Sequence, residues 1–303
     1  MNRPIALIEA PSNLGLRPLR AGHEPGTWRA PTVLANAGLV QVIAPQSVSE
    51  IERRPYSPDR QLGTALLNGP ALRDFSLELA DQVEAAIAHG QFAMVVGGDC
   101  SVLLGCLAGA RRTSELSLIH IDGHSDFRHP GNYDSSTSLG AAAGMDLALA
   151  TGRGESLMTD WPGVSSPLVP DERVIQIGER EGRDADFAWP DVNDSAITRI
   201  DIFEALEDGA ARTAERARSF LKSHALPFWI HVDVDVLDQQ YMLAVDCPGS
   251  PGLAPNDLAL LLRELLRDRA ALGMTLSIYD PDLDPDGRYA RLLVELLAKG
   301  IGH

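Results

Sequence analysis

Short runs of branched apolar residues alternate along this chain with longer segments whose apolar residues recur at helical spacing. The short runs predict buried strands at Ile5 to Ile8, Val40 to Ile43, Phe92 to Val96, Leu116 to Ile121, Val174 to Ile177, Ile197 to Ile202, Phe228 to Val236 and Met274 to Tyr279. The longer segments predict helices at Pro31 to Ala37, Phe75 to His89, Ser101 to Arg111, Ala205 to Ser223, Asn256 to Asp268 and Gly287 to Lys299. This alternation predicts a single α/β domain over residues 1–303, a three-layer αβα sandwich with a mainly parallel central sheet.

Three polar clusters follow apolar runs directly. They are Gly97-Gly98-Asp99-Cys100-Ser101, Asp122-Gly123-His124-Ser125-Asp126 and Asp233-Val234-Asp235-Val236-Leu237-Asp238. Because ligands gather at the carboxyl ends of parallel strands, we expect the clusters to lie together. The acidic residues within a cluster alternate by two, so each set can point to one side of an extended backbone. Carboxylates packed this closely would repel one another unless cations neutralised them, so the pattern predicts a two-metal site.

Composition narrows the range of partners. The chain has a formal charge of -16, whereas nucleic acid and anionic membranes are bound by clustered Lys and Arg, so neither is an expected partner. The amino-terminal residues lack the apolar core of a signal peptide, and no apolar run reaches membrane-spanning length. Three cysteines without a CxxC pair fit a reducing compartment. We therefore expect a cytoplasmic protein.

Long segments rich in Pro, Gly and Asp predict loops. These segments are Pro45 to Pro70, Arg128 to Gly144, Gln239 to Pro255 and Asp280 to Gly287. Most of them would fall at the edge of the sheet that carries the three clusters. A substrate pocket is expected there, because long loops on a rigid scaffold commonly carry binding residues.

The three clusters, in this order and at these separations, resemble those of the ureohydrolase superfamily of arginase, agmatinase and formimidoylglutamase. Other shared marks are Ala10-Pro11-Ser12, Gln176-Ile177-Gly178 and the turn from Pro248 to Pro255. The resemblance spans nearly the whole chain. It implies an arginase-like fold, two manganese ions per chain, and a metal-bridging hydroxide that attacks the carbon of a guanidinium or amidine group.

Carried over residue by residue, the resemblance implies a specific ligand set. Asp122 and Asp233 would bridge the two ions, His124 and Asp235 would complete one ion, and Asp126 and Cys100 would complete the other. Asp126 and Asp235 would also orient the metal-bound hydroxide. Carboxylate oxygens suit manganese, and paired divalent ions lower the pKa of a shared water.

The chain departs from the family pattern at two chemical positions. Cys100 stands where the usual Gly-Gly-Asp-His-Ser motif has histidine, and it is either a buried thiol at a lost ligand position or a thiolate ligand, which would favour zinc or iron. Leu139 stands where arginases carry a proton-shuttling histidine, thirteen residues past Asp126. His129 is a candidate replacement for that shuttle, although a histidine on such a loop is more often a solvated residue.

A further departure concerns the substrate. The last predicted strand has no glutamate to hold a guanidinium, which leaves Asp280 as a candidate in a turn-like Asp-Pro sequence. Arg128, Ser135 and Arg183 are the other candidate substrate-binding residues, and the two arginines favour a substrate with a carboxylate or a neutral amidine. The resemblance then implies a substrate other than L-arginine, such as an N-hydroxyarginine-like, formimino or other amidine compound.

Two functions of different classes follow. The first is a dinuclear-metal hydrolase that cleaves a C–N bond in a small guanidino or amidino compound. The second is a catalytically silent or regulatory protein that keeps the fold and metal binding, which Leu139 and the missing glutamate favour. A metal-dependent deacetylase is a weaker third reading, since that superfamily shares the architecture but usually shows a single-metal arrangement. Association into a homo-oligomer is open for each reading.

Overall fold

A computed structural model of the chain describes residues 3–302, and its centre is one eight-stranded sheet in which all neighbouring strands are parallel. The strand order is β2-β1-β3-β8-β7-β4-β5-β6. The strands are β1 (Ile5–Ala10), β2 (Ser47–Glu50), β3 (Phe92–Gly97), β4 (Ser117–Ile121), β5 (Val174–Ile177), β6 (Thr198–Ile200), β7 (Phe228–Asp233) and β8 (Ala271–Ser277). The predicted parallel sheet is confirmed.

Helices cover both faces of this sheet. They are α1 (Ala30–Asn36), α2 (Leu39–Ile43), α3 (Gly69–Ala88), α4 (Val102–Thr113), α5 (Asp146–Ala150), α6 (Ser156–Thr159), α7 (Ile202–His224), α8 (Pro255–Leu265) and α9 (Arg288–Ile301). One apolar core joins the sheet to α1, α2, α7, α8 and α9, and the other joins it to α3, α4, α5 and α6. Because both faces are covered, β3, β4, β5 and β7 are buried throughout, which explains their continuous apolar runs. The three-layer prediction is therefore confirmed.

Two local predictions are wrong. Val40 to Ile43 lies in the short helix α2 and forms no strand, since Gly38 and Ala44, both with positive φ angles, bracket one helical turn. The strand at this edge is instead β2, within the segment predicted as a loop. Its sequence Ser-Val-Ser-Glu is polar and largely exposed, so it carries no apolar signal. Strand β2 is held at the edge of the sheet by backbone hydrogen bonds to β1, and a search for apolar runs cannot detect such pairing.

The sheet brings the three clusters together. Strand β7 lies between β4 and β8, and β8 lies between β7 and β3, so the carboxyl ends of β3, β4 and β7 share one edge. Gly98 allows the close approach that the first cluster needs, because a Cβ atom there would lie 1.7 Å from the carbonyl oxygen of Ser12. Within residues 3–302, no helix is both long and apolar enough to cross a bilayer.

Candidate metal centre

Cys100 and Asp233 join the first and third clusters. The Cys100 thiol donates a hydrogen bond to Asp233 Oδ2 over 2.6 Å, and its Sγ lies 3.1 Å from Ser277 Oγ at the end of β8. The thiol is buried, and burial together with the Asp233 carboxylate raises the pKa of Cys100 well above its usual range. Without a cation, Cys100 is therefore a neutral thiol within reach of the acidic cluster.

Asp122, His124 and Asp235 join the second and third clusters. His124 Nδ1 lies 2.8 Å from Asp235 Oδ2 and 3.9 Å from Asp122 Oδ1. Backbone amides fix one oxygen of each carboxylate, since His124 N donates to Asp122 Oδ1 over 2.7 Å and Gly123 N donates to Asp235 Oδ1 over 3.1 Å. Asp122 Oδ2 is buried and has no hydrogen-bond partner in the described part of the chain. A buried carboxylate oxygen without a donor fits a cation as its partner.

Asp126, another predicted ligand, faces the same cavity. Its backbone has a φ of 45°, in the left-handed region that aspartate adopts more readily than most residues. The cavity has a volume of about 100 Å³. It is lined by Cys100, His124, Asp126, Ala143, Gly144, Asp233, Asp235, Asp246, Cys247 and Ile278. Five of the six predicted ligands therefore line one cavity, and the sixth, Asp122, lies beside His124.

The electrostatics of this group match a cation site. Burial and the Asp235 carboxylate raise the pKa of Asp122 to about 7, and burial raises the pKa values of Asp126 and Asp233 well above their usual range. Burial alone would lower the pKa of His124, but the adjacent Asp235 outweighs it and raises that pKa to about 10. The metal-free chain thus keeps protons where divalent cations would otherwise sit. The donor set fits two such ions, with oxygen, nitrogen and sulfur ligands lining or adjoining one cavity.

The metal-free protein is expected to lose stability as the pH rises. The folded chain retains the Asp122 proton up to about pH 7, whereas the unfolded chain releases it near 3.8, so this contribution falls across that range. The His124 contribution is complete below pH 6.5 and is lost as the pH rises through about 10, so both groups act in the same direction. Burial lowers the pKa of His231 well below 6.5, and this group acts in the opposite direction only below that pH, so the decisive range is pH 7 to 10. Thermal denaturation in chelator across this range tests the prediction. A melting temperature that climbs with pH in chelator would contradict it.

A second buried polar group lies behind the cavity. His120 Nε2 is 3.1 Å from Asp146 Oδ1, and His231 Nε2 is 3.4 Å from Asp146 Oδ2. The two imidazoles stack with centroids 5.0 Å apart, and His120 Nε2 lies 3.8 Å from Asp122 Oδ2. Neither histidine belongs to the three clusters predicted from the sequence, and Asp146 reaches them from the start of α5.

Two other candidate residues lie in ion pairs away from the cavity lining. His129 Nε2 is 2.5 Å from Asp191 Oδ2, in a loop that Asn132 also closes. Arg183 pairs with Asp201 over 2.7 Å, and 54% of its side chain is exposed. The charged side chains of His129 and Arg183 are therefore paired with acidic residues near them, and the spacing of residues in the sequence does not reveal these pairs.

The remaining candidates also lie beyond the cavity lining. Asp280 is buried and accepts hydrogen bonds from the backbone amides of Gly26 and Asp282, over 3.1 and 2.9 Å. The carbonyl of Ser135 accepts a hydrogen bond from Arg60. Arg128 donates to Ser138 Oγ over 3.2 Å and stacks on the rings of Tyr133 and Trp189.

Sequence reasoning missed two functional-looking side chains in the cavity wall. Asp246 and Cys247 come from the loop after the third cluster and line the cavity together with Ile278 from the end of β8. The sequence offered one signal for Asp246, which is that it is an acidic residue in a loop at the edge of the sheet that carries the predicted ligands. The loop conformation that turns it inward depends on contacts that the sequence does not show.

Carboxylates, an imidazole and a thiol gathered at the carboxyl ends of parallel strands define an α/β protein with a candidate metal centre at the edge of its sheet. The chain matches the Arginase family model over residues 5–302. It therefore belongs to the arginase family, and the predicted membership of the ureohydrolase superfamily is confirmed.

Individual relatives agree with this assignment. The chain is 25% identical to the arginase of Bacillus caldovelox over 99% of this chain and 98% of that protein, and the structure of that arginase matches it with a TM-score of 0.85 over 99% of both chains. It is 26% identical to Arginase-1 of Homo sapiens over 93% of this chain and 86% of that protein. The formimidoylglutamase of Bacillus subtilis shares the fold, with a TM-score of 0.75 at 17% identity over 99% of this chain and 86% of that one.

Proposed function

We propose that this chain is a dinuclear-metal hydrolase that cleaves a C–N bond in a small guanidino or amidino compound other than L-arginine. One observation carries the proposal. Side chains from three separate strand ends converge on one cavity with the chemistry of a metal site and little other use for so many buried carboxylates. Unpaired acidic groups are costly to bury, so their retention favours a function that needs them.

The proposed metals are two manganese ions, as is typical of the arginase family. Asp122 and Asp233 would contact both ions, His124 and Asp235 would complete one, and Asp126 and Cys100 the other. Zinc or iron is the alternative, because a thiolate is a softer ligand than an imidazole. When bound, the ions would lower the pKa of a shared water toward neutrality.

The protein side chains would position the reactants. Asp126 and Asp235 line the cavity and would hold the attacking water by hydrogen bonds. Leu139 cannot carry a proton. His129 is not assigned the role of proton shuttle, because its imidazole is paired with Asp191. A substrate with a less basic amidine or a better leaving group reduces the need for such a shuttle. N-hydroxyguanidines and formimino compounds have this property, and guanidines with an ordinary alkyl substituent do not.

A basic pair beside the cavity loop supports a substrate that carries a carboxylate. Arg17 and Arg128 both donate to Ser138 Oγ, over 2.7 and 3.2 Å. Neither guanidinium has a carboxylate partner within residues 3–302, and the loop that holds Ser138 continues to Ala143 in the cavity wall. We propose that this pair, with Ser135 on the same loop, attracts the acidic end of the substrate.

A catalytically silent protein is the second candidate. Leu139 removes the usual shuttle, and Asp280 is held by backbone amides, so neither position supplies the family chemistry. This reading predicts bound metal without turnover.

A substrate panel separates the two candidates. Protein reconstituted with manganese should turn over an N-hydroxyguanidino or formimino amino acid at least about 100-fold faster, in kcat/KM, than L-arginine. Release of the urea-type or amide product is the measured quantity, with ions per chain determined on the same sample. Two bound ions without turnover of any compound would favour the silent protein. L-arginine as the best substrate would contradict the proposed specificity.

A further inference from the structure

Asp280, just beyond the last strand, is unavailable to a substrate in the cavity. Ile278 has a φ of 73°, a left-handed conformation that is rare for a β-branched residue, and it turns the chain at the end of β8. Beyond this turn the Tyr279 hydroxyl donates to Asp284 Oδ2 over 2.7 Å. Asp280 accepts from the amides of Gly26 and Asp282. Ile278 is the residue of this turn that lines the cavity.

The neighbouring loop supplies a different carboxylate at the same place. Asp280 N donates to the carbonyl of Ala244 over 2.8 Å, which fastens the loop of residues 244–247 against the end of β8. Two residues further, Asp246 lines the cavity together with Asp235 and His124. The side chain of Asp246 therefore faces the same space as the predicted ligands, although Asp246 lies eight residues past Asp238, the end of the third cluster.

Among the described residues Asp246 forms no ion pair, although the charge of His124 acts to lower its pKa. Its carboxylate is bonded by the backbone amides of Asp246 and Cys247, and Cys247 Sγ lies 3.8 Å away. Burial, followed by the charge of Asp235, raises the pKa of Asp246 to about 6. A half-buried carboxylate in such surroundings is costly unless a cation approaches it.

Asp246 lies outside the ligand set assigned to the two ions. That set is Cys100, Asp122, His124, Asp126, Asp233 and Asp235, and Asp246 lines the same cavity as five of these residues. A carboxylate beside the ligands but outside their set is placed for a planar cation that enters the cavity. Guanidinium and amidinium groups match it, because they donate two parallel N–H bonds to one carboxylate.

We propose that Asp246 is the specificity residue that binds the guanidinium or amidinium group of the substrate. The inference rests on the proposed function for the identity of the cavity, and it narrows the substrate to a cationic amidine. A neutral urea or amide of the same shape would be discriminated against. Asp246 takes this role in the place of a carboxylate on the last strand.

The test compares Asp246→Asn with Asp280→Asn, the same substitution at the neighbouring carboxylate held by backbone amides. Binding of guanidinium ion and of neutral urea to the manganese-loaded protein is measured by calorimetry at millimolar ligand, with metal content and melting temperature recorded for each variant. Wild type and Asp280→Asn should prefer guanidinium to urea. Asp246→Asn should keep two ions and lose about ten- to hundredfold of that preference.

Three results would overturn the inference. They are an unchanged preference in Asp246→Asn, loss of metal from that variant, and a wild type that binds urea as tightly as guanidinium. Failure of the proposed function is distinguishable, because it would appear as guanidinium binding without turnover. In that case the preference of wild type and its loss in Asp246→Asn would still establish a cation-binding role for Asp246.

Discussion

Replacing Asp122 with asparagine is expected to remove bound metal and to lower turnover by at least about 1,000-fold. Asp122 Oδ2 is buried without a hydrogen-bond partner in the described residues, while Oδ1 accepts from the amide of His124. The neutral amide would take away both the anionic charge and one oxygen ligand from the position that we propose is shared between the two ions. Metal content by atomic emission and turnover of the best panel substrate are the measurements.

The control for this variant is Asp238→Asn, in the third cluster. Asp238 accepts from the amides of Gln240 and Gly252 and does not line the cavity, so this variant should keep two ions at saturating manganese. Misfolding is separable from metal loss, because Asp122 already has a pKa of about 7 in the metal-free chain. A neutral side chain there should cost the metal-free fold little. Asp122→Asn protein that still holds two ions would refute the assigned ligand set.

The sequence predicted the part of this site that secondary structure determines. Asp122 and Asp233 directly follow or end buried strands, and a parallel sheet brings such ends to one edge whatever the loops do. The fold was predictable for the same reason, since β3, β4 and β7 are apolar throughout. Strand β2 was missed because it lies at the edge of the sheet, where its polar and exposed residues give no apolar pattern.

Side chains outside the strand ends were harder to predict. Asp246 reaches the cavity because a backbone hydrogen bond ties its loop to Asp280, and Asp146 reaches His120 from a short helix after a long loop. Arg183 and His129 looked available in the sequence but are engaged by Asp201 and Asp191. Which acid partners which base depends on loop conformation, and loop conformation has no periodic signature.

Cys100 stands in the place of the family's histidine, and this difference changes both the charge of the site and the softness of its ligands. An imidazole ligand is neutral, whereas a thiol that binds a divalent ion gives up its proton, and the raised pKa of the metal-free Cys100 makes that release depend on the ion. The bound thiolate would add one negative charge beside Asp233, 2.6 Å away. This extra charge would stabilise a cationic substrate and disfavour an anionic group close to the metals, so it would act in the same direction as the role proposed for Asp246.

Cobalt(II) loaded into the protein should therefore show a sulfur-to-metal charge-transfer band in the near ultraviolet, and Cys100→Ser should lack it. Cys100→Ser should also bind manganese about ten- to hundredfold more weakly, since one ligand is changed while the carboxylates remain. Cys106→Ala and Cys247→Ala are matched controls. Cys106 is buried on α4 with a pKa raised to about 12, mainly by burial, and Cys247 lines the cavity beside Asp246.

Both control variants should retain the charge-transfer band. A band that persists in Cys100→Ser, or unchanged metal affinity in that variant, would make Cys100 a buried thiol that fills the space of a lost ligand. A band that disappears in Cys247→Ala instead would move the sulfur ligand to the loop that carries Asp246. In the expected case, the band and the metal affinity fall together only when Cys100 is changed, because its sulfur alone among the three thiols contacts Asp233.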